Sequence, residues 1–582
     1  MILIFGGTTE GRLAAGVCEE AGKPYYYSTK SDLQEIKMHH GVRLIGGMTA
    51  DSMIAFCREH DIRCIIDAAH PFAEVLHQNI ADCQLPVIRL ERQYPPHEDG
   101  VVYCKDYADA IEKLNQYGIE RLLALTGVNT ISRLKPYWQS HAVIFRILNR
   151  PESMAIVSNN HFSEENIIFY NDDHELPTVD MEKTLMEQLH CDAIITKESG
   201  SNGGFEAKKT AALSLGMKVF VVQRPTLPAH WTYAFGQHGL RRAVEKIIPD
   251  FFPLHTGLTT GACATAAVKG ALLSLLNGDY AEEVSFQLPD GEPLTIPVEH
   301  HGRGVASVVK DHSDDPDVTR GCRIMAKVEI ADESSGTGPV VRFLRGKGVG
   351  VVTLPGLGVP VGEPAINPTP RKMMTDTIRM LTNYSVDVTI SVENGEEIAK
   401  RTFNERVGVV NGISIIGTSG IVKPLSNEAF ISSIRRQLDV AWAIGRREVG
   451  LVAGMKSETL LRKEKDILCV HYGNFVGAAL QAAYDVGFRH VTIAIMIGKA
   501  VKLAEGHLDT HSHKVEMNKN FLRDIAIQEG LDPSPIDEIT MARQLWKVMP
   551  SVFFDSIARL CLRHCQTVFR DGNVDLRLMR EV

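Results

Sequence analysis

Short apolar strands alternate with amphipathic helices through the first 250 residues of this 582-residue chain. The strand Ile2 to Phe5 leads into the glycine turn Gly6 to Gly11, and an amphipathic helix follows through Ala21. The strand Ile62 to Asp67 likewise precedes a helix, which we place at Phe72 to Cys83. Parallel strands need long crossover connections, which are usually helices, so this alternation constrains the region to an α/β fold with parallel sheets.

Two such sets of strands and helices predict two lobes. The first lobe covers about residues 1–97 and the second about residues 98–250. The strands that we expect in the second lobe are Leu122 to Leu125, Val143 to Ile147, Ala193 to Thr196 and Val219 to Val222. Ligands of parallel sheets bind beyond the carboxyl ends of the strands. We therefore expect a two-lobed, Rossmann-like region with its site at those ends.

Three segments at predicted strand ends carry candidate binding groups. Gly6 to Gly11 joins a strand to a helix as a dinucleotide phosphate loop does, although its spacing departs from G-x-G-x-x-G and a plain tight turn is the alternative. His70 offers either a proton or a hydrogen bond, unless the backbone before Pro71 satisfies it. Lys197 ends another strand and suits an anionic ligand.

The second half of the chain is richer in glycine and favours β-structure after a helix entrance at Thr256 to Lys269. Thr259 or Thr260 can cap this helix, and the alanine-rich run that follows propagates it. Gly257 and Gly261 predict bare backbone N–H groups, which bind anions at a helix N-terminus. The alternative is a well-capped helix that packs through its alanines.

Three further segments of this half stand out. Lys310 to Asp317 is densely acidic, but it lacks the central glycine and the bidentate glutamate of a calcium loop, so a solvated acidic turn is the alternative. Gly346 to Gly362 alternates glycine with valine, which is typical of strands and turns with close backbone approach. Val407 to Pro424 is strand-like and contains a Gly-Thr-Ser-Gly turn, for which a structural turn in a core sheet is the alternative.

Cations and histidines cluster later in the sequence. Lys499 and Lys502 are three residues apart, so they share one face of a predicted helix. His507, His511 and His513 follow closely, but no carboxylate or cysteine ligand set accompanies them. We therefore predict no metal site.

The overall composition is that of an ordinary globular protein, with 44% hydrophobic and 23% charged residues. A net charge of −9 disfavours nonspecific nucleic-acid binding, so an anionic ligand must find local cations. The 11 cysteines form no C-x-x-C pair, which favours reduced thiols in a cytoplasmic protein. We expect no signal peptide and no membrane-spanning segment.

Four motifs of the first half occur together and in order: Gly-Gly-Thr-Thr-Glu at 6–10, Asp-Ala-Ala-His-Pro at 67–71, Thr-Lys-Glu-Ser-Gly at 196–200 and Gln-Arg-Pro at 223–225. On these motifs the region resembles precorrin-6A reductase, including the form that acts on cobalt-precorrin-6A. Ala69 departs from the pattern, where we expect threonine. The resemblance implies hydride transfer from a nicotinamide cofactor to a ring double bond of the macrocycle.

The same resemblance implies roles for particular residues. The expected pyrophosphate contacts are Gly6, Gly7, Thr8 and Thr9. His70 and Lys197 become candidate catalytic residues, with Ser199 and Gly200 as substrate contacts. The second strand ends in Ser-Thr-Lys, without the acidic residue that favours NAD, so NADH and NADPH both stay open.

Motifs of the second half also follow a family order, at 256–269, 310–317, 346–371, 407–424 and 498–512. They resemble the cobalt-precorrin-5B C(1)-methyltransferase family of anaerobic cobalamin biosynthesis. Two positions depart from the family pattern, because serine and asparagine stand at 313 and 411 where glycine is expected. The resemblance implies methyl transfer from S-adenosylmethionine to carbon 1 of cobalt-precorrin-5B, with catalysis mostly by positioning.

Site residues for this half follow from the resemblance. The expected S-adenosylmethionine contacts are Gly412, Ser414, Gly417, Thr418, Ser419 and Gly420, with the helix entrance at 259–261 as the competing location. The expected substrate contacts are Thr259, Thr260, Gly261, Asn367, Arg371, Lys499, Lys502, Thr510 and Ser512. Asp315 and His511 are the candidate catalytic residues.

Together the two resemblances predict a bifunctional enzyme for consecutive steps on cobalt-corrinoid substrates. We expect a reductase-like region at 1–250 and a methyltransferase-like region at 254–582, the latter an α+β or α/β fold rich in glycine. The alternatives are one catalytic half beside a corrinoid-binding half, and an unrelated nucleotide-binding sensor. We expect no nucleic-acid or membrane partner, and both monomer and homo-oligomer stay open.

Overall fold

A computed structural model describes residues 1–32, 34–94, 96–170, 178–199, 204–331, 340–424, 426–511 and 517–580. The chain forms two compact units, Met1–Pro253 and Leu254–Val582. No helix among the described residues combines the length and apolar character needed to cross a membrane.

The strands of the amino-terminal unit are β1 (Ile2–Phe5), β2 (Tyr25–Thr29), β3 (Gly41–Ile45), β4 (Cys64–Asp67), β5 (Val87–Glu91), β6 (Val101–Cys104), β7 (Arg121–Ala124), β8 (Ala142–Leu148), β9 (Ile167–Tyr170), β10 (Ala193–Lys197), β11 (Lys218–Val222) and β12 (Thr232–Phe235). Its α-helices are α1 (Thr9–Glu19), α2 (Ala50–Glu59), α3 (Glu74–Ala81), α4 (Tyr107–Gln116), α5 (Lys135–Trp138), α6 (Pro151–Asn159), α7 (Val179–Leu189), α8 (Phe205–Ser214) and α9 (Gly236–Ile247).

These strands form two parallel sheets, with the orders β12-β5-β4-β1-β2-β3 and β6-β11-β10-β7-β8-β9. The predicted α/β class is therefore confirmed. In the first sheet the buried strand residues Ile2 and Ile4 pack with Leu240 and Val244 of α9. Apolar side chains on both faces of these strands require helices on both sides, which the crossovers supply.

The boundary between the predicted lobes is wrong at its carboxyl end. The sequence interpretation placed residues 98–250 in the second lobe, but β12 pairs with β5 of the first sheet, with Thr232 opposite Ile88. The chain thus returns to the first lobe after β11. The strand was missed because it is short and has two exposed positions, which leave little hydrophobic pattern.

The strands of the second unit are β13 (Gly257–Leu258), β14 (Glu283–Gln287), β15 (Pro293–Pro297), β16 (Glu299–Gly302), β17 (Val305–Val309), β18 (Arg323–Ile330), β19 (Val341–Arg345), β20 (Val351–Val352), β21 (Val386–Val392), β22 (Val409–Val410), β23 (Ile421–Val422), β24 (Glu448–Val452), β25 (Cys469–His471), β26 (His490–Met496) and β27 (Asn573–Met579). Its α-helices are α10 (Thr260–Asn277), α11 (Pro368–Leu381), α12 (Gly395–Ala399), α13 (Asn427–Ala443), α14 (Met455–Glu464), α15 (Val476–Val486), α16 (Ile497–Ala504), α17 (Lys519–Gln528), α18 (Ser534–Glu538), α19 (Leu545–Val548) and α20 (Ser551–Val568).

Two sheets organise this unit. A mixed five-stranded sheet has the order β16-β17-β18-β21-β19, and its core includes the buried alanines of α10. Small residues on α10 allow close packing: a Cβ at Gly270 would lie 3.2 Å from Val298 Cγ2. A parallel four-stranded sheet has the order β25-β24-β26-β27, so the second half contains both mixed and parallel sheet.

Leu240 tests the assignment of α9 to the first lobe. Leu240→Ala removes a fully buried side chain, which typically costs about 2–5 kcal/mol of stability. Hydrogen exchange on the full chain should show faster exchange at β1 and β5 amides, with β10 and β11 little changed. The exposed Lys246→Ala on the same helix serves as the control. Faster exchange confined to the second sheet would contradict the assignment.

Candidate functional site

The glycine turn after β1 is shaped by its contacts with β2. A Cβ at Gly6 would lie 2.1 Å from the Tyr27 hydroxyl oxygen, so only glycine fits there. Gly7 adopts φ +90°, a conformation that favours glycine, and a Cβ there would meet no atom within 4 Å. Thr8 caps α1 by accepting from Gly11 N, and its own hydroxyl donates to Ala68 O at 2.6 Å.

Gln34 covers this turn. Gly7 N donates to Gln34 Oε1 at 3.2 Å and to the Tyr27 hydroxyl at 3.3 Å. Gln34 Nε2 donates in turn to Thr8 O at 2.9 Å. A pyrophosphate that accepts from Gly7 N would have to replace the Gln34 side chain. Neither Tyr27 nor Gln34 was a predicted site residue, because their sequence positions carry no motif.

Arg92 connects segments that lie beyond the carboxyl ends of strands in the two sheets of this unit. Its Nη2 lies 2.7 Å from Glu10 Oε2 in the first turn of α1, and its Nη1 donates to Ser199 O at 3.1 Å beyond β10. Glu10 has a lowered pKa: burial alone would raise it, and the interactions with Arg92 reverse that effect. The glycine turn and the Lys197–Ser199 segment, far apart in sequence, thus meet at one cation.

His70 lies beside this junction, in the segment that follows β4. Its Nδ1 accepts from Phe72 N at 3.2 Å, which leaves the ring proton on Nε2. Desolvation, with Arg92 and Lys197 nearby, lowers the pKa of His70 to about 4, although the residue as a whole is exposed. With that pKa, the imidazole is neutral at pH 7: it can donate a hydrogen bond from Nε2, but it is not an imidazolium that could give up a proton.

Lys197 is the other predicted catalytic residue of this unit. Desolvation, followed by the charge of Arg133, lowers the pKa of Lys197 to about 8. Its ammonium lies 5.2 Å from the centre of the Phe72 ring, and Arg133 itself forms a bidentate pair with Glu74. A partly desolvated ammonium of this kind suits a carboxylate or a proton transfer near neutral pH.

A buried ionic network supports the segment that carries His70. Arg89, 1% exposed, donates to Asp67 Oδ2 and to Ala69 O, both at 2.9 Å. Glu91 lies on the other side of the same guanidinium, at 3.4 Å from Nε. This network fixes the main chain at Ala69 without a threonine hydroxyl. Charged residues inside the otherwise apolar strand β5 were the sequence signal for it.

In the second unit, the helix entrance and the Gly-Thr-Ser-Gly turn pack on each other. Gly261 N donates to Ile416 O at 2.9 Å, and Ala262 N donates to the Thr259 hydroxyl at 3.1 Å. The Thr260 hydroxyl accepts from Ile416 N at 2.8 Å. The prediction of a bare N–H group at Gly261 is therefore wrong, because the protein's own carbonyl occupies that donor. The two competing locations for S-adenosylmethionine form one packed structure.

The glycines of this segment are explained by packing against other protein atoms. A Cβ at Gly412 would lie 2.5 Å from Gly348 O, and one at Gly417 would lie 2.3 Å from Thr259 Oγ1. Gly420 packs against the Leu288 side chain in the same way. Three predicted contacts of this turn are not glycines. Ser414 is half-buried, and Thr418 and Ser419 are exposed.

Arg371 is already engaged by its own neighbourhood. Its Nε donates to Ile366 O at 2.8 Å, Nη2 donates to Pro364 O at 3.1 Å, and Nη1 lies 2.7 Å from Glu363 Oε2. Asn367, which immediately precedes α11, donates its N–H to Ile415 O at 3.0 Å. Arg371 therefore holds the 363–366 turn through its own contacts.

The acidic loop is built into the protein. Lys310, 1% exposed, pairs with Asp317 at 2.9 Å, and Asp311 Oδ1 accepts from Leu258 N at 2.7 Å. The interpretation of the whole segment as a solvated turn is therefore wrong. Asp315, a predicted catalytic residue, is half-buried, and its carbonyl accepts from Asp317 N at 2.7 Å.

The lysine cluster lies at the carboxyl ends of β25 and β26. Lys499 Nζ donates to Gly473 O and to Asn474 Oδ1, the latter at 2.7 Å, and desolvation lowers the pKa of Lys499 to about 8. Lys502 Nζ donates to Thr510 O at 3.4 Å, and Thr510 N donates to Asn474 O at 3.0 Å. These predicted residues therefore do meet in one cluster.

The rest of the predicted substrate segment lies beside that cluster. His511 N donates to Asp509 Oδ1 at 3.2 Å. Asp509 and Leu508 also line an open cavity of about 370 Å³ beside α15. Two predicted contacts, Gly200 and Ser512, lie outside the described residues.

A buried carboxylate beside the same sheet was not predicted. Glu458, 3% exposed, lies 2.5 Å from His471 Nε2 and 3.1 Å from Arg406 Nη1. Its pKa is lowered: desolvation alone would raise it, and the bonds to His471 and Arg406 reverse that effect. The group fixes the start of α14 against β25, and a single glutamate in a charged helix gave no sequence signal for it.

Comparisons with known proteins match both units. Residues 1–245 match the family model of precorrin-6x reductase CbiJ/CobK, and residues 249–424 match the CbiD family model. The cobalt-precorrin-5B C(1)-methyltransferase of Prosthecochloris aestuarii is 41% identical over 348 residues, covering 56% of this chain and 94% of that protein. The chain belongs to the cobalt-precorrin-5B C(1)-methyltransferase family. Joined to it is a region of the precorrin-6x reductase family, so the chain is a fusion of the two.

Further relatives and solved structures match the same regions. The methyltransferase of the same name from Thermus thermophilus is 43% identical over 290 residues, covering 48% of this chain and 77% of that protein. A CobK precorrin-6A reductase structure is 22% identical, with a TM-score of 0.35, and covers 42% of this chain and 97% of that chain. The crystal structure of CbiD from Archaeoglobus fulgidus is 28% identical, with a TM-score of 0.26, and the match covers 48% of this chain and 85% of that chain.

The protonation state of His70 can be measured directly. Because the folded-state pKa is lowered to about 4, the imidazole should stay neutral from pH 8 down to about pH 5. Nitrogen-15 NMR of histidine-labelled protein, assigned with His70→Gln, should show the Nε2–H tautomer throughout that range. A titration midpoint near the ordinary histidine value would contradict the assignment.

Proposed function

We propose that the chain catalyses two consecutive steps of cobalamin biosynthesis. The second unit would methylate cobalt-precorrin-5B at carbon 1 with S-adenosylmethionine, giving cobalt-precorrin-6A. The first unit would reduce cobalt-precorrin-6A to cobalt-precorrin-6B with NADH or NADPH. The observation that carries the proposal is the meeting of the glycine turn, His70 and Lys197 around Arg92, because it supplies a cofactor loop and anion-binding cations at one place.

The reductase chemistry requires a hydride and a proton. A nicotinamide cofactor supplies the hydride when bound, and Gly6 to Thr9 would hold its pyrophosphate at the start of α1. Neutral His70 can orient the macrocycle through Nε2–H. Lys197, with a pKa near 8, is protonated for the most part at neutral pH and can give a proton or bind a carboxylate.

For the methyl donor, the geometry supports the parallel sheet more than the packed glycines. In the parallel sheet β25-β24-β26-β27, successive strands are added on opposite sides of β24, which makes a topological switch point there. Ligands of open α/β sheets bind at such a point, beyond the carboxyl ends of the strands. Gly454 follows β24 and Gly498 follows β26, and a Cβ at either would meet no atom within 4 Å. By contrast, a Cβ at Gly412, Gly417 or Gly420 would overlap protein atoms.

The corrinoid would lie beside that crevice. Lys499 and Lys502 stand at the same carboxyl ends and can exchange their neutral oxygen partners for substrate carboxylates. Charge-assisted hydrogen bonds contribute roughly 1.5–3 kcal/mol each, so a few suffice to hold a polyanion on an acidic protein. The methyl transfer then needs in-line alignment of the sulfonium methyl with the ring carbon.

One catalytic half beside a corrinoid-binding half is the second candidate, and two departures from the family patterns motivate it. Asn411 replaces glycine, yet it adopts φ +60°, a conformation that asparagine tolerates. Ala69 lacks a hydroxyl, yet Arg89 and Asp67 fix its main chain. Neither departure removes a supporting contact, so the structure favours two active halves.

Gly7→Ala tests the cofactor loop. The methyl group would point into the space that a pyrophosphate needs, so NAD(P)H binding should fall by about tenfold or more, with methylation unchanged. Gly22→Ala is the matched control, because Gly22 also has positive φ and open surroundings but follows the far end of α1. Fluorescence titration measures the binding. Equal losses in both variants would count against the loop.

Gly498→Val tests the methyl-donor location. A Cβ at Gly498 would meet no atom within 4 Å, so we expect the variant to fold and to lose S-adenosylmethionine binding by calorimetry, with Gly498→Ala intermediate. Gly417→Val overlaps Thr259 and should instead lower the thermal stability. Unchanged S-adenosylmethionine affinity in Gly498→Val would contradict a site at the parallel sheet and favour the 412–420 segment instead.

A further inference from the structure

His471 ends β25 on the side of the parallel sheet where the methyl-donor crevice is proposed. In the pairing of β24 with β25 it stands opposite Val452, the last residue of β24, and Gly454 follows two residues later. The His471 side chain is 13% exposed. The imidazole therefore lies one strand away from the opening at Gly454.

The two ring nitrogens of His471 have different surroundings. Nε2 lies 2.5 Å from Glu458 Oε2, so we place the ring proton on Nε2, which donates it to the carboxylate. Arg406 Nη1 lies farther from Nε2, at 3.3 Å, and pairs with Glu458 Oε2 at 3.1 Å. Nδ1 then carries a lone pair. It has no hydrogen-bond partner among the described residues, and it is not fully buried.

Glu458 does not need His471 for charge compensation. Two guanidinium groups already pair with this carboxylate, Arg406 at 3.1 Å and Arg462 at 2.9 Å. Cys469 precedes His471 by two residues on β25, and burial raises the pKa of its thiol, which is therefore neutral at pH 7. A structural carboxylate would be satisfied without the imidazole, whereas an imidazole that becomes a cation during a reaction requires a carboxylate beside it.

Methyl transfer to a ring carbon releases a proton. The ring carbon supplies the electron pair of the new C–C bond, and the sulfur keeps the pair of the C–S bond that breaks, so the sulfonium becomes a neutral thioether. The macrocycle thereby gains one positive charge, which it loses when a C–H or N–H of its conjugated system gives up a proton. A general base that accepts such a proton typically contributes about 10²–10⁴-fold to the rate.

We propose that His471 is the general base of the methyl transfer. The inference rests on the proposed methyltransferase function. Nδ1 accepts the proton that the macrocycle releases, and Glu458, which already accepts from Nε2, stabilises the imidazolium that results. Because its buried carboxylate holds the imidazole in one tautomer and one orientation, Glu458 is a positioning residue for this step.

Single-turnover assays on the full chain test the proposal with His471→Gln, which can still donate to Glu458 but offers no basic nitrogen. At saturating cobalt-precorrin-5B and S-adenosylmethionine, we expect the methylation rate to fall about 100-fold. The affinity for S-adenosylmethionine, measured by calorimetry, should stay within about twofold of the wild-type value. The wild-type rate should be lost as the pH falls, because a protonated Nδ1 cannot accept, and this acid limb should be missing in His471→Gln.

A second measurement needs no turnover. Nitrogen-15 NMR of histidine-labelled, ligand-free protein, assigned with His471→Gln, should show the Nε2–H tautomer and the pH midpoint at which Nδ1 takes up a proton. The acid limb of kcat/KM reports groups of the free enzyme, so for a general base it coincides with this midpoint. Clearly separate midpoints would overturn the inference.

His490→Gln is the matched control, because His490 also pairs with a glutamate of this sheet, Glu448 at 3.2 Å, but at the amino end of β26. Its Nδ1 lies 3.3 Å from Asn573 Nδ2, so both ring nitrogens have partners, and the variant should keep the wild-type rate. A wild-type rate in His471→Gln, or lost S-adenosylmethionine affinity in its folded form, would overturn the inference and leave the methyltransferase proposal intact. An equal loss of rate in His490→Gln would overturn it too. A wild-type protein that transfers no methyl group would overturn both proposals.

Discussion

The ion pair between Arg92 and Glu10 is the contact on which the proposed reductase site depends. Arg92 spans from the first turn of α1 to the Ser199 carbonyl beyond β10, so it links the carboxyl ends of two separate sheets. Both side chains are largely buried, and removing one partner would leave an uncompensated charge. The same cation helps to keep His70 neutral. Arg92 therefore both links the two segments of this site and lowers the pKa of the histidine beside them.

The second unit divides its glycines between two tasks. Those at 412–420 allow backbone segments to approach the start of α10 and the 348–350 segment, where any Cβ would overlap. Gly454 and Gly498 instead stand beyond parallel strands with open space above them. A glycine-rich family motif therefore need not mark the ligand, because close packing of the protein on itself requires the same residue.

The sequence predicted most of the first unit, because its apolar strands and glycine turns leave few alternatives. It could not place β12, which returns to the first sheet with little hydrophobic pattern. It also predicted which lysines would cluster, at 499 and 502, but it could not show that the Gly261 N–H was already occupied. Contacts such as Arg92 with Ser199 join residues that are distant in the chain, and no local pattern encodes them.

The most direct test of two active halves is one assay that follows a single substrate through both steps. Purified full-length protein would receive cobalt-precorrin-5B and S-adenosylmethionine, with NADH or NADPH added in parallel reactions, and mass spectrometry would follow the corrinoid. The account predicts a gain of one methyl group without nicotinamide, and a further gain of two hydrogens when the preferred nicotinamide is present. A methylated product that neither nicotinamide reduces, or supplied cobalt-precorrin-6A that stays unchanged, would contradict it.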